Sequence, residues 1–174
     1  MPIYEFNGKR PAISPDAFVH PDAILIGDVI IAEGCMIAPG AVLRADIGTI
    51  SIGACTSIQD NVVIHANPGF TVVIEDHVVI GHSAVLHDVH IHSGCVIGMG
   101  AVLLFNIVCE QDVFVAAGSL VKNNTHIPAG KLAAGNPATV IRDVTPEQHL
   151  EAKLGAEFYA ELGRQYKTGM KRVG

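Results

Sequence analysis

Aliphatic side chains recur at every sixth position through most of this 174-residue chain. A period of six fits neither an α-helix nor a plain alternating strand. It predicts a solenoid in which each hexad is a short strand plus a corner, and in which three hexads close one triangular coil. Strand alternation then turns the aliphatic residue inward and the next residue outward, and stacked coils share one core. The clearest runs contain Ile13, Val19, Leu25, Ile31, Ile37 and Leu43, then Ile74, Ile80 and Leu86, then Ile91, Ile97 and Leu103.

The repeat pattern ends near Ile141 and predicts two parts, a β-helix over residues 1–142 and a helix with a tail over residues 143–174. Thr145 suits a helix cap, Pro146 the first helical position and Gln148 the third. Apolar residues follow at a spacing of four, which is typical of an amphipathic helix. We expect this helix to pack along the solenoid through Leu150, Leu154, Phe158 and Leu162.

Composition narrows the function classes. The net charge of −6 argues against nucleic acid or an anionic membrane as a partner, because both require clustered Lys and Arg. No apolar run approaches the roughly 20 residues of a membrane span, and the first residues do not form a secretion signal, so we expect a cytoplasmic protein. The cysteines form no C-x-x-C pair, and we expect small buried thiols at Cys35, Cys55, Cys95 and Cys109.

Two of the nine histidines fall at equivalent places in successive coils. His65 follows the aliphatic residue of a third hexad, and His87 follows the equivalent residue one coil and a four-residue insertion later. We therefore expect both on one outer face, stacked at the ~4.8 Å spacing of neighbouring strands. Two imidazoles in that position can share one metal ion at ~2.0–2.1 Å.

His82 cannot join this pair within one chain. It lies at the corner that opens the strand ending at His87, on the order of 15 Å away at ~3.3 Å per residue. A three-histidine site therefore needs His82 from a neighbouring subunit, as in a closed homotrimer with one metal per interface. Three histidines with an open fourth position are typical of catalytic zinc. The alternative is scattered surface histidines, and we see no such convergence for His20, His77, His90, His92, His126 and His149.

Three segments carry a family resemblance: Leu-Arg-Ala-Asp at 43–46, Ser-Ile-Gln-Asp-Asn-Val-Val-Ile-His at 57–65 and Gly-His-Ser-Ala-Val-Leu-His at 81–87. They resemble the signature of the γ-class carbonic anhydrases, and the resemblance covers roughly residues 10–142. Within that family, the opening Met-Pro-Ile-Tyr and the Phe-Val-His-Pro run look most like bacterial accessory proteins of phenylacetate degradation and carnitine metabolism. The resemblance alone implies that the solenoid is a left-handed parallel β-helix.

The same resemblance implies zinc, iron or cobalt on His65, His82 and His87, and reversible hydration of carbon dioxide by metal-bound hydroxide at trimer interfaces. It also implies an Arg44–Asp46 ion pair at the subunit interface and places Gln59 near the metal-bound solvent. Arg44 and Asp46 lie two apart on one strand and so point the same way, although a merely exposed pair would contribute little. An amide at Gln59 can orient a bicarbonate oxygen.

The chain departs from the family pattern where a proton would leave. The most active relatives carry glutamates on the loop after the first histidine, whereas residues 66–71 here contain no carboxylate and Ile47 follows Asp46. We therefore expect weak carbonic anhydrase activity. Two other enzyme functions stay open: a metal-dependent thioesterase acting on aryl-CoA esters, and a hexapeptide acyltransferase with a histidine base. A third alternative is a trimeric scaffold in which the metal only joins subunits.

Overall fold

The computed structural model describes residues 2–174, which form a parallel β-solenoid of about 7 turns followed by a C-terminal helix. The hexads predicted from the sequence form its short strands. The strands are β1 Ile3–Tyr4, β2 Ala12–Ile13, β3 Phe18–Val19, β4 Ile24–Ile31, β5 Met36–Ile37, β6 Val42–Ile52, β7 Ser57–Ile58, β8 Val63–His65, β9 Thr71–Ile74, β10 Val79–Ile80, β11 Val85–His87, β12 Val89–Ile91, β13 Val96–Ile97, β14 Val102–Leu103, β15 Ile107–Cys109, β16 Phe114–Val115, β17 Leu120–Val121, β18 His126–Ile127, β19 Lys131–Gly135 and β20 Ala138–Asp143.

Three faces of parallel strands make the solenoid triangular. The first face contains the first half of β6 with β8, β11, β14 and β17, and the second contains the other half of β6 with β9, β12, β15 and β18. The third face runs from β3 through β5, β7, β10, β13 and β16 to β19, where β20 adds an antiparallel strand. We call the turn from second to third face the second corner, and the turn from third to first face the third corner.

The core is a column of inward aliphatic side chains, as the six-residue period predicts. Leu43, Ile58, Ile64 and Ile80 are each 0% exposed. Burial of this kind contributes about 1.5–3 kcal/mol per aliphatic side chain, so the stacked column is the main source of stability.

Three of the four cysteines are buried in this core, as expected. Cys35 and Cys95 donate their thiols to backbone carbonyl groups, at 2.9 and 3.0 Å, and burial raises the pKa of each to about 12. Burial likewise raises the pKa of Cys109. The expectation was wrong for Cys55, which is only half-buried at the second corner. It has a φ of +53°, because the chain turns there instead of continuing a strand.

Helix α1 spans Pro146–Gly169, and its start confirms the capping prediction. The Thr145 side chain accepts from the Gln148 backbone N–H, and the Gln148 side chain accepts from the Thr145 backbone N–H. The helix lies on the third face of the solenoid, against β3, β5, β7 and β10. The division of the chain at residues 142 and 143 stays a prediction.

The helix packs largely through a different surface from the one predicted. Of the four predicted residues only Leu162 is half-buried, whereas Leu150, Leu154 and Phe158 are 56%, 52% and 60% exposed. The buried residues of the helix are Ala156, Ala160 and Gly163. Small residues occupy the buried surface of the helix because they let its backbone approach the flat sheet closely. A Cβ on Gly163 would already lie 3.3 Å from the Cβ of Phe18. Within residues 2–174, no helix has the length and apolar character needed to cross a membrane.

Candidate metal centre on the first face

His65 and His87 are adjacent on the first face. They end strands β8 and β11 and are paired in register across the parallel ladder. His65 Nδ1 lies 2.9 Å from His87 Nε2, with the two rings nearly perpendicular. Two nitrogens bound to one tetrahedral zinc ion are about 3.3 Å apart, so a small opening of this pair would admit the ion. The pair thus offers two converging metal ligands from one chain.

Each of these imidazoles also has a carboxylate beside its second ring nitrogen. His65 Nε2 is 3.1 Å from Asp46 Oδ1. His87 Nδ1 is 3.2 Å from Asp88 Oδ2, at an angle outside the hydrogen-bond range, and this buried nitrogen has no hydrogen-bond partner within residues 2–174. Histidines that bind metals commonly have such a carboxylate, which fixes the ring and its tautomer. The donor set and its surroundings therefore fit a divalent metal.

Asp88 is itself held firmly. Its side chain is buried and accepts two hydrogen bonds from Asn67, one from the backbone N–H and one from the side-chain amide, both at 2.7 Å. Asn67 belongs to the loop between β8 and β9, the loop that contains no carboxylate in this sequence. This loop therefore supports the carboxylate beside His87.

His82 lies on the third corner, at the other end of β11 from His87. Its Nδ1 is 2.8 Å from Asp60 Oδ2, so the third predicted ligand also has a carboxylate partner. Gln59 is buried nearby and accepts the His82 backbone N–H through Oε1 at 3.1 Å. The structure brings His65 and His87 together and places His82 with Gln59 and Asp60 elsewhere. The supply of His82 by a second chain stays a prediction.

Arg44 and Asp46 are paired, as expected from their spacing. Arg44 Nη1 donates to Asp46 Oδ2 at 2.7 Å, and Arg44 is in register with His65 on the neighbouring strand. Partial burial alone would raise the pKa of Asp46, but hydrogen bonds from Arg44 and His65 outweigh it and hold this pKa below its ordinary value. Asp46 is thus a carboxylate that links Arg44 to His65.

Apolar side chains surround these histidines at the surface. The ring of Phe105 contacts that of His87 edge-to-face, with centroids 4.6 Å apart. Other exposed apolar residues on or beside the first face are Ile47, Val63, Phe70, Val85 and Met99. Several exposed apolar side chains on one side of a protein are typical of an interaction site.

One group of potential ligands contradicts the sequence interpretation. His90 and His92 showed no convergence in the sequence pattern, yet both contact Glu75 Oε1, at 2.9 and 3.0 Å. The physical reason is register: Ile74 pairs with Ile91, which brings the two neighbouring corner residues Glu75 and His92 together. A His-x-His pair on the outward positions of a hexad, one coil after a corner glutamate, is the signal that could have revealed this group.

Comparison with known proteins places the chain in a family. The family described as "Bacterial transferase hexapeptide (six repeats)" matches residues 11–45 and 71–104. Gamma carbonic anhydrase 2, mitochondrial, of Arabidopsis thaliana is 42% identical over 162 residues, which cover 90% of this chain and 58% of the plant protein. The chain thus spans less than two thirds of that relative.

Bacterial relatives match over nearly their full length. A carbonic anhydrase of Geobacillus kaustophilus is 36% identical, covering 95% of this chain and 91% of the relative. Carnitine operon protein CaiE of Salmonella agona is 35% identical, covering 99% and 87%. The crystal structure of a hexapeptide transferase family protein from Anaplasma phagocytophilum superposes with a TM-score of 0.91 at 37% identity, covering 95% and 98%. This chain therefore belongs to the hexapeptide-repeat family that contains the gamma carbonic anhydrases and the CaiE proteins.

Proposed function

We propose that this chain forms a homotrimer in which His65 and His87 of one subunit and His82 of the next bind a divalent metal, and that the assembly interconverts carbon dioxide and bicarbonate. One observation carries this proposal. All three imidazoles have an aspartate within 3.2 Å of one ring nitrogen, which leaves the other nitrogen for a metal. Zinc suits such neutral imidazole donors, and iron or cobalt would also fit.

The surface around the pair supports a trimer. A face that carries both half of a metal site and exposed Val63, Val85 and Phe105 is suited to burial against another subunit. A cyclic arrangement uses each chain twice, once through its first face and once through its third corner. Every interface then contains one complete set of histidines. The cytoplasmic location remains a prediction from the sequence.

Each polar residue of the site then has a defined task. A metal ion bound there would supply hydroxide at neutral pH by lowering the pKa of water towards ~7. Asp46 orients His65, Asp88 supplies a negative charge beside His87, and Arg44 holds Asp46 in place. Gln59 uses its oxygen on the His82 backbone, so its amide nitrogen is the end that can donate to a bicarbonate oxygen.

Acyl transfer or thioester hydrolysis is the second candidate, and a specific observation favours it. A cavity of about 200 Å³ beside His82 and Gln59 is closed on one side by Tyr159, Leu162 and Tyr166 of the helix. It offers room for more than carbon dioxide. The matching family is described as a bacterial transferase family, and the Anaplasma phagocytophilum protein as a hexapeptide transferase family protein. A metal-dependent thioesterase on aryl-CoA esters would use the same histidines.

Metal content and turnover, measured in one preparation, test these proposals. We expect His65→Ala to remove one metal equivalent per chain and to abolish carbon dioxide hydration, while the exposed helix variant His149→Ala changes neither. Release of free thiol from phenylacetyl-CoA, without carbon dioxide hydration, would replace the anhydrase with the thioesterase. Acetyl transfer from acetyl-CoA that survives His65→Ala would favour the acyltransferase. Bound metal without any turnover would favour the trimeric scaffold in which the metal only joins subunits. A metal content that is unchanged by His65→Ala would contradict the shared site.

A further inference from the structure

A second set of metal-type ligands lies on the side of the solenoid away from the first face. Glu75, His92 and Glu110 open the second corner in three successive coils, following the paired residues Ile74, Ile91 and Cys109. His90 lies on β12 and His92 directly follows the last residue of that strand, two positions later, so both side chains point outward. The parallel ladder thus brings five polar side chains together when Glu110's partner His126, on strand β18, is included.

The distances within this group are close to those of a metal site. Glu75 Oε1 lies 2.9 Å from His90 Nε2 and 3.0 Å from His92 Nδ1. The three ligand atoms all lie within 4.8 Å of one another. Ligand atoms on a tetrahedral zinc ion are about 3.3 Å apart, so side-chain rotation alone can accommodate an ion.

The ligands are also positioned by their neighbours. The second oxygen of Glu75 accepts from the Ser93 backbone N–H at 3.0 Å and from the Ser93 hydroxyl at 3.1 Å. The rings of His90 and His92 are stacked with centroids 4.1 Å apart. Glu110 Oε2 is 4.0 Å from His92 Nε2, beyond hydrogen-bond distance, and Glu110 Oε1 is 2.8 Å from His126 Nε2.

We propose that Glu75, His90 and His92 bind a second divalent transition metal. Two imidazole nitrogens and one carboxylate oxygen are a donor set that suits zinc and neighbouring first-row metals. The second corner is the vertex of the triangle opposite the first face. This site therefore belongs to one chain, stays open to solvent in the proposed trimer and does not depend on the proposed function. By joining β9 to β12, the ion links two successive coils.

Zinc titration in a His65→Ala background isolates this site. We expect that variant to bind one zinc equivalent per chain by calorimetry and to show a Tm that rises with zinc concentration, because an ion that binds only the folded chain stabilises it. Adding His92→Ala should weaken binding at least about tenfold and abolish the zinc-dependent shift in Tm. The isosteric Glu75→Gln should have the same effect. Adding His149→Ala, on the exposed helix surface, should change neither reading.

The outcomes separate this site from the first one. Zinc binding that is absent in His65→Ala, or that is unchanged by His92→Ala and by Glu75→Gln in a folded chain, would overturn the second site. Two equivalents in the wild type, one in each single variant and none in the double variant would establish both sites. If His92→Ala removes the only equivalent and His65→Ala removes none, the second site stands and the proposed function fails.

Discussion

At the scale of single residues, an aspartate lies beside each of the three histidines of the proposed catalytic site. Asp46 and Asp88 contact His65 and His87 on the first face, and Asp60 contacts His82 on the third corner. Asp46 lies on the strand paired with that of His65, Asp88 directly follows His87, and Asp60 lies one coil before His82. The sequence placed the histidines by hexad position, but it assigned Asp46 to Arg44 alone and gave no carboxylate partner for any of the three histidines. Side-chain pairing across coils depends on rotamers, which periodicity does not determine.

Asp46→Asn should weaken metal binding at the first site by about 10- to 100-fold, because the substituted amide no longer fixes the His65 ring as a carboxylate does. The affinity is measured by competition with a chelator in a His92→Ala background, so that only the first site is titrated. Asp22→Asn, at an exposed residue, serves as the control. Equal affinities for the two variants would show that Asp46 does not support His65.

The buried thiols predict an alkaline loss of stability. The pKa of Cys35 is raised from 9.0 to about 12 by burial, so the folded chain keeps this proton while the unfolded chain releases it. The contribution of this pKa difference to the free energy of unfolding is therefore complete below pH 9 and is lost between pH 9 and about 12. Cys35→Ser should reduce the slope of unfolding free energy against pH in this range by about 1.4 kcal/mol per unit. Urea unfolding under reducing conditions measures it, and identical slopes would contradict the prediction.

At the scale of elements, the hexads and the helix start could be predicted, whereas the packing of the helix could not. A six-residue period and a Thr145–Gln148 capping box are local signals that no tertiary contact overrides. The stripe at Leu150, Leu154 and Phe158 follows the same kind of rule, yet it is exposed. Close approach to a flat sheet favours Ala156, Ala160 and Gly163, and single-chain periodicity does not reveal which partner surface a helix will meet. Likewise, the sequence pattern did not reveal the antiparallel β20.

Corner glycines should be intolerant of even one methyl group where coils stack. A Cβ on Gly98 would lie 2.4 Å from the Ala117 nitrogen and 2.7 Å from the Val115 oxygen, both backbone atoms of the next coil. We expect Gly98→Ala to lower the free energy of unfolding by about 3 kcal/mol through overpacking. Gly155→Ala is the matched control, since its Cβ would meet only Val79 at 3.9 Å within a helix that favours alanine. Comparable denaturation midpoints for both variants would contradict this packing.

At the scale of the whole molecule, the first face, the third face and the second corner of the triangle carry different features. The first face carries His65 and His87 among apolar side chains, and the third face is covered by the helix. The second corner carries the Glu75 cluster and faces away from the first face. A single chain brings together two of the three predicted ligands, His65 and His87. The proposed metal site, divided between the first face of one chain and the third corner of another, would therefore require association of subunits.

Complementation between two inactive variants tests the shared site most directly. His65→Ala lacks a ligand on the first face, and His82→Ala lacks the ligand on the third corner. In a His92→Ala background, neither variant alone should bind metal or hydrate carbon dioxide. Trimers reassembled from an equal mixture should recover about a quarter of the wild-type metal content and activity, because that share of interfaces pairs an intact face with an intact corner. No recovery in mixed trimers, or metal bound by either variant as a monomer, would contradict the account.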